Sequence, residues 1–395
     1  MAAAHRYVQM AKRLFIPGPV TCAPDVLEAT AAPLVDHRGP EFAAVLTGIA
    51  DALRPVFGTS GDVVVLGSSG TGGLEAAVAN SFAPGQKVLA CPVGVFGRRF
   101  ADIARIYGLE VETLDTPLGA CVDPAALATR LREDRNHAFA GILLTHNETS
   151  TGVQNDMAAQ AAAIGDHPAT VIVDSVSGLG ASPFAMDAWR FDIVVGASQK
   201  ALAAPPGLAM LALGERAWSR MSDGGAPRFY FDLRKARQLG AAGQTPWTPP
   251  VSIAFGLAAA LARYHAEGAQ RAYARHARYA QAIRAFAAAA NLQDLSHPGA
   301  HSVTVVALCA PAGVDVTAVR SRLRQDYDVV IGGGQAELAG KILRIGTMGA
   351  LSPDDVATAL DALATVLREQ GHAMDASRAT AAARDILAEA LVAPS

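Results

Sequence analysis

Between residues 60 and 215 the chain contains six short apolar runs with almost no polar interruption: DVVVLG (62–67), KVLAC (87–91), GILLTH (141–146), ATVIVD (169–174), FDIVVG (191–196) and LAMLAL (208–213). A strand with one face in water alternates apolar and polar residues, whereas a strand covered on both faces reads as a continuous apolar run. Helical stretches such as GGLEAAVANSF and DPAALATRLRED lie between the runs. Strand and helix in alternation predict an α/β fold, a mostly parallel, doubly wound sheet with helices on both sides. Ligands of such sheets bind outside the carboxyl ends of the strands. Here those ends lead into GSSGTGG, HNETSTG, DSVSG and SQK, all of which the topology gathers on one rim.

Beyond residue 220 the pattern changes. DGGAPRFYFDLRKARQLGAAGQTPWTPP (223–250) reads as loop. Two long helical segments follow (251–267 and 268–291), then the strands HSVTVVAL and KILRIGTM, then a helix begun by Ser352. This organisation divides the chain into an N-terminal arm (1–20), a large domain (21–255), a smaller C-terminal α+β domain (256–375) and a helical tail (376–395). With 395 residues, 51% of them hydrophobic, the chain has ample apolar material for two cores. A formal charge of −3 gives no basic field for nucleic acid. No apolar run reaches the ~18 residues that a membrane span requires. The four cysteines are scattered without C-x-x-C spacing, so neither zinc nor a disulfide framework is expected, and a reducing cytoplasm is the expected compartment. The basic, acid-free start MAAAHRYVQMAKRLF reads as an arm, with a transit peptide as the second reading.

The residues that could carry chemistry sit at the ends of the runs. Asp174 closes ATVIVD, where an unpaired carboxylate would be costly, so it needs a cationic or N–H partner. Lys200 follows the next run. If the two strands are neighbours, Asp174 and Lys200 face one cleft, either as a salt bridge or as the two flanks of a flat cationic cofactor. Pyridoxal phosphate has that requirement: a lysine forms the Schiff base and an acid keeps the pyridine nitrogen protonated. The loop in VVVLGSSGTGGLEAA runs from strand to helix, and its Ser69, Gly70 and Thr71 are suited to donate to a phosphate. It lacks both G-x-G-x-x-G and G-K-[ST], so no dinucleotide or nucleoside triphosphate site is supported. Phe96 stands between glycines at the rim, either as a stacking face or as ordinary core. His146, Asn147, Glu148 and Thr149 share a strand-end loop; Thr149 could bond a phenolate oxygen, and His146 reads equally as a buried, satisfied histidine.

Taken in order and spacing, SSGTGGLEA, HNETSTG, VIVDSVSGLG, GASQKALAAPPG, TPWTPPV and GKILRIGTMG resemble the class V aminotransferases of fold type I, nearest the serine/alanine–glyoxylate (serine–pyruvate) group. The likeness runs from FIPGPV (15–20) to about residue 370. It implies pyridoxal 5'-phosphate as cofactor, Lys200 as the Schiff-base lysine and Asp174 as the partner of the pyridine nitrogen. It further implies Phe96 as the stacking ring, Ser69, Gly70, Thr71 and Gln199 as the phosphate cup, and Thr149 on the phenolate oxygen. Thr248 matches a phosphate contact given by a neighbouring subunit, which implies a homodimer with shared sites. Arg344 matches the arginine that binds a substrate carboxylate, a role its planar fork suits, with an internal ion pair as the alternative. The implied reaction moves an amino group from serine, alanine or a similar amino acid to a small 2-oxo acid. Two positions depart from the resemblance: Thr21 stands where relatives carry Asn, and Thr245 where an aromatic residue or histidine is common.

Other readings remain at this stage. Within the family these are transamination of aspartate, ureidoglycine, aminoethylphosphonate or pyridoxamine, and lyase, epimerase or desulfurase chemistry. A dicarboxylate would call for a second cation, for which Arg38 is the candidate. A desulfurase needs a mobile thiol, and Cys22 is the one cysteine near the entrance. A non-catalytic cofactor-binding module and a nicotinamide dehydrogenase are the readings from other classes.

Overall fold

The computed structural model describes residues 12–221 and 226–389. Most of the N-terminal arm, with its transit-peptide reading, and the end of the tail lie outside the described residues. The strands in chain order are β1 (Arg13–Phe15), β2 (Asp62–Gly67), β3 (Lys87–Cys91), β4 (Glu110–Thr113), β5 (Phe139–Thr145), β6 (Asn147–Glu148), β7 (Val153–Gln154), β8 (Thr170–Asp174), β9 (Ile193–Ala197), β10 (Leu208–Leu213), β11 (Val305–Cys309), β12 (Val329–Gly333) and β13 (Ile342–Gly346).

Seven of them form one sheet in the order β2-β10-β9-β8-β5-β3-β4. Neighbours are parallel except β10, which runs antiparallel to both β9 and β2. The reason lies in the connection. Residues 198–207 are too few for the crossover that a parallel strand requires, so the chain turns straight back. Pro205 and Pro206 sit in that turn, and Gly207 takes a φ of +140°. The chain therefore reverses its winding at Lys200. β5, β8, β9 and β10 are buried almost throughout, as their continuous apolar sequences predict. Leu144, Val173 and Val194 contribute to the core on one side of the sheet, and Leu143, Ile172 and Val195 to the core on the other.

A four-stranded sheet, β1-β12-β13-β11, forms a second core with helices Ala269–Ala289, Val316–Asp326 and Pro353–Glu369. Ser352 starts the last of these with a full capping box, its hydroxyl accepting from the Asp355 amide while Asp355 accepts from the Ser352 amide. The arm strand β1 enters this sheet beside β12 and buries Phe15 there. Helix Ala376–Ala388 lays Ala379, Ala383 and Leu387 into the same core.

Several elements lie outside the sequence reading, among them β4, β12 and helix Leu233–Gly240. β4 is an edge strand with no fully buried residue, so it lacks the continuous apolar run of its neighbours. Helix Leu233–Gly240 lies within the segment read as loop; Asp232 caps it by accepting from the Lys235 amide.

Candidate active site

β8 and β9 are adjacent and parallel, with Asp174 in register with Val195. Asp174 and Lys200 therefore emerge at the same rim. Asp174 is 6% exposed, and its Oδ1 accepts from the Val176 amide at 3.0 Å. Burial pushes its carboxyl up to about 7; the Val176 hydrogen bond opposes this, the Glu148 charge adds to it, and Lys200 and Arg99 oppose it. For Lys200 burial acts in the other direction, lowering the amine to about 8, with Asp174 opposing and Arg344 and Arg99 assisting. Asp174 and Lys200 thus feel each other's charge but do not hydrogen-bond. The Lys200 amine donates instead to the Pro17 carbonyl. Gly18, at φ +119°, completes the contact: a Cβ there would lie 2.6 Å from Lys200 Nζ.

Around this pair the other strand ends converge. Helix Gly70–Ser81 begins directly after β2, with Ser69 at its N-cap making no side-chain hydrogen bond to the first turn. Those first amides have no partner within the helix. Gly70 is required by packing, since a Cβ would fall 2.6 Å from Val176 Cγ2, two residues past Asp174. Gln199 Oε1 is buried without a hydrogen-bond partner. After β3, Phe96 opens helix Val95–Ile106 and is half-buried, with the Arg99 guanidinium 4.7 Å from its ring centroid. Glu148, wholly buried, fixes this helix start: Oε2 accepts from the Phe96 and Gly97 amides at 3.0 Å, and Oε1 from Ser150. His146 is the satisfied histidine, bonded to Ser175 and Ser182, and burial lowers it to about 4.

Arg344 reaches the rim from the second sheet. It is 7% exposed, donating from Nε to the Gly333 carbonyl at 2.7 Å and from Nη1 to the Thr149 carbonyl at 2.8 Å. No carboxylate among the described residues lies within ion-pair distance of it, while the charge of buried Glu148 acts on it. Asn147, hydrogen-bonded to Ser177, Ser302 and Thr304, ties the strand-end loop to the second sheet. Thr149 is joined to Arg344 through its carbonyl. Thr248 is not brought to Lys200 within this chain: it is exposed, on a loop beside Tyr230 and Gly67. Arg38 is also exposed and donates to the Thr245 carbonyl at 2.6 Å on that loop. Thr21 accepts from the Leu14 and Ala350 amides, and Thr245 donates to the Trp247 carbonyl. Burial raises the Cys22 thiol, the reverse of what an attacking thiolate requires.

The family model for aminotransferase class V matches residues 27–346. The chain belongs to the class V aminotransferases. It is 36% identical over 94% of its length to the L-aspartate–glyoxylate aminotransferase of Paracoccus denitrificans, of which it covers 95%. Against the serine–glyoxylate aminotransferase of Methylorubrum extorquens it is 33% identical, covering 95% of this chain and 96% of the relative. The crystal structure of pyridoxamine–pyruvate aminotransferase from Mesorhizobium loti superposes with a TM-score of 0.90 at 31% identity, over 95% of this chain and 96% of that one.

The aminotransferase is a pyridoxal phosphate enzyme, and the rim fits that group on its own chemistry. A helix start offers free amides at Gly70, donors suited to the acceptor oxygens of a phosphate. A desolvated carboxylate and a desolvated amine stand apart at Asp174 and Lys200. The sequence reading assigned no role to Pro17, Gly18, Glu148 or Arg99. Only Gly18 carried a local signal, a glycine between prolines; the others act through contacts with residues distant in the chain. No described helix is long and apolar enough to cross a membrane.

Proposed function

We propose that this aminotransferase moves an amino group from a small amino acid, serine, alanine or one like them, to a small 2-oxo acid such as glyoxylate or pyruvate, working as a cytoplasmic homodimer. When bound, pyridoxal phosphate supplies an aldehyde that captures amines and a protonated ring that draws electrons from the substrate's Cα. Lys200 is the amine that holds the aldehyde and, once displaced, the base that carries the proton from Cα. Asp174 keeps the pyridine nitrogen protonated. Phe96 stacks on the ring, and Thr149 donates to the phenolate oxygen. Ser69, Gly70, Thr71 and Gln199 receive the phosphate, with Thr248 joining from a second subunit. Arg344 orients the α-carboxylate of each acid in turn. The observation that carries this reading is the Asp174–Lys200 pair, two desolvated groups of opposite charge at one rim without a bond between them.

Support for the homodimer comes from the surface beside Thr248. Phe229 is 76% exposed and stacks on Trp247 at 4.6 Å, with Lys235 over both rings. Exposed aromatic faces of this kind mark association sites. Sedimentation should give twice the chain mass.

The L-aspartate–glyoxylate relative favours a second reading in which aspartate is the donor. A panel of amino acids mixed with the loaded enzyme decides: the donor is the one that bleaches the visible band fastest, and glyoxylate or pyruvate should restore it. Bleaching by aspartate alone would replace the first reading with the second.

Arg344→Gln should raise KM for both the amino acid and the oxo acid by about 100-fold, the scale of a lost charge-assisted bidentate contact, with a smaller change in kcat. Steady-state kinetics with each substrate varied check it, and unchanged KM values would remove Arg344 from the substrate.

Capture of the cofactor should depend on pH through Lys200, because only the neutral amine attacks an aldehyde. With the folded amine lowered to about 8, the neutral fraction falls as pH drops below that value and levels above it. Below pH 8 the rate of attachment should therefore fall about tenfold per unit, read by stopped-flow absorbance. A midpoint near the ordinary lysine value would show that the amine is not desolvated.

A further inference from the structure

Arg99 has no role in the reading above, yet it stands among the residues that do. It lies one helical turn after Phe96, and its Nη1 is 3.5 Å from Thr71 Oγ1, the outer limit of hydrogen-bond contact. Its neighbours on the same helix are paired, Arg98 with Glu337 and Arg105 with Asp102. Arg99 forms no ion pair with a carboxylate among the described residues. The simple alternative is a solvated surface arginine. Against it, the charge of Arg99 is felt by both Asp174 and Lys200, and its guanidinium is laid over the Phe96 ring.

Thr71 is the second residue of helix Gly70–Ser81, so Arg99 approaches the positive end of that helix, where the first-turn amides lack internal partners. Two positive features then lie side by side, and no carboxylate among the described residues pairs with Arg99. That arrangement is unfavourable alone and favourable around an anion carrying several acceptor oxygens. A phosphate monoester dianion has that chemistry.

We propose that Arg99 is a phosphate-binding residue, holding the phosphate of pyridoxal phosphate against the amides at Gly70. The inference rests on the placement of the cofactor given under Proposed function. Its consequence is that the affinity of this aminotransferase for its cofactor contains a salt-sensitive part, because Arg99 is exposed to solvent.

The test is equilibrium titration of cofactor-free protein with pyridoxal phosphate and with pyridoxal, which lacks the phosphate, followed by quenching of tryptophan fluorescence. Arg99→Gln should raise Kd for pyridoxal phosphate by about tenfold or more at low salt, the scale of one charge-assisted contact. The difference should shrink at high salt, and Kd for pyridoxal should not change. Arg99→Lys, which keeps the charge without the fork, should fall between. Equal losses for both ligands would overturn the proposal and assign Arg99 to the ring through Phe96. Unchanged Kd with a raised KM for aspartate but not serine would overturn it in favour of a substrate contact. If wild-type protein binds neither ligand at Lys200, the reading of the cofactor site itself fails, and this inference with it.

Discussion

Replacing Lys200 with alanine should abolish covalent capture of pyridoxal phosphate and reduce transamination by about 10⁴-fold, the upper range for a proton-transferring side chain. Two functions are lost at once in this reading: the amine that bonds the aldehyde and the base that moves the proton. They separate experimentally. Borohydride treatment followed by denaturation should leave pyridoxyl label on the wild-type chain and none on the variant. An added small amine should then restore part of the proton transfer without restoring the label. The substitution removes a desolvated amine whose hydrogen bond is to the Pro17 carbonyl, so the fold loses little by it. Lys200→Arg makes the complementary case, keeping positive charge at the rim but no reactive amine, and should be as inactive as the alanine variant. Label retained in Lys200→Ala, or turnover within about tenfold of wild type, would remove Lys200 from the reaction.

The parts of this fold that could be read from sequence are those whose cause is local. Continuous apolar runs marked β2, β3, β5, β8, β9 and β10 because each of those strands has much of its length covered on both faces. β4 escaped because an edge strand is freed from that demand, and Glu110 and Thr113 are exposed on it. Helix Leu233–Gly240 escaped because it is only two turns long and closely flanked by prolines and glycines, although Leu233 and Ala236 share its buried face. The site divides in the same way. Asp174 and Lys200 were legible because a charged residue at the end of a buried strand requires an explanation. The Pro17–Lys200 contact joins residues 183 apart, and the Glu148 carboxylate reaches amides 52 and 51 positions earlier. No local pattern encodes such contacts. Strand register and the docking of the second sheet create them, and these follow from the packing of the whole chain.

Asp174→Asn is the second decisive substitution, and it should reduce turnover by about 10²- to 10³-fold, the usual range for losing one preorganised electrostatic group. Asparagine keeps the size of the side chain and an oxygen for the Val176 amide, so the change is one of charge rather than shape. In the cofactor-free protein the carboxyl is raised from 3.8 to about 7, chiefly by burial. Between those values the folded chain holds a proton that the unfolded chain has released. Stability therefore falls as pH rises through that window, and the penalty is complete above it. Lys200 does not offset this, because with its folded amine at about 8 it is protonated in both states across the same window. Cofactor-free wild type should accordingly lose stability relative to Asp174→Asn between pH 4 and pH 7. Bound pyridoxal phosphate should abolish that difference, since a protonated ring nitrogen opposite Asp174 favours the ionised carboxylate. Thermal melting of both proteins, with and without cofactor across this range, measures it. Parallel melting curves at every pH would mean that Asp174 titrates as an ordinary carboxylate, and an unchanged turnover in Asp174→Asn would remove it from the electron-withdrawing role.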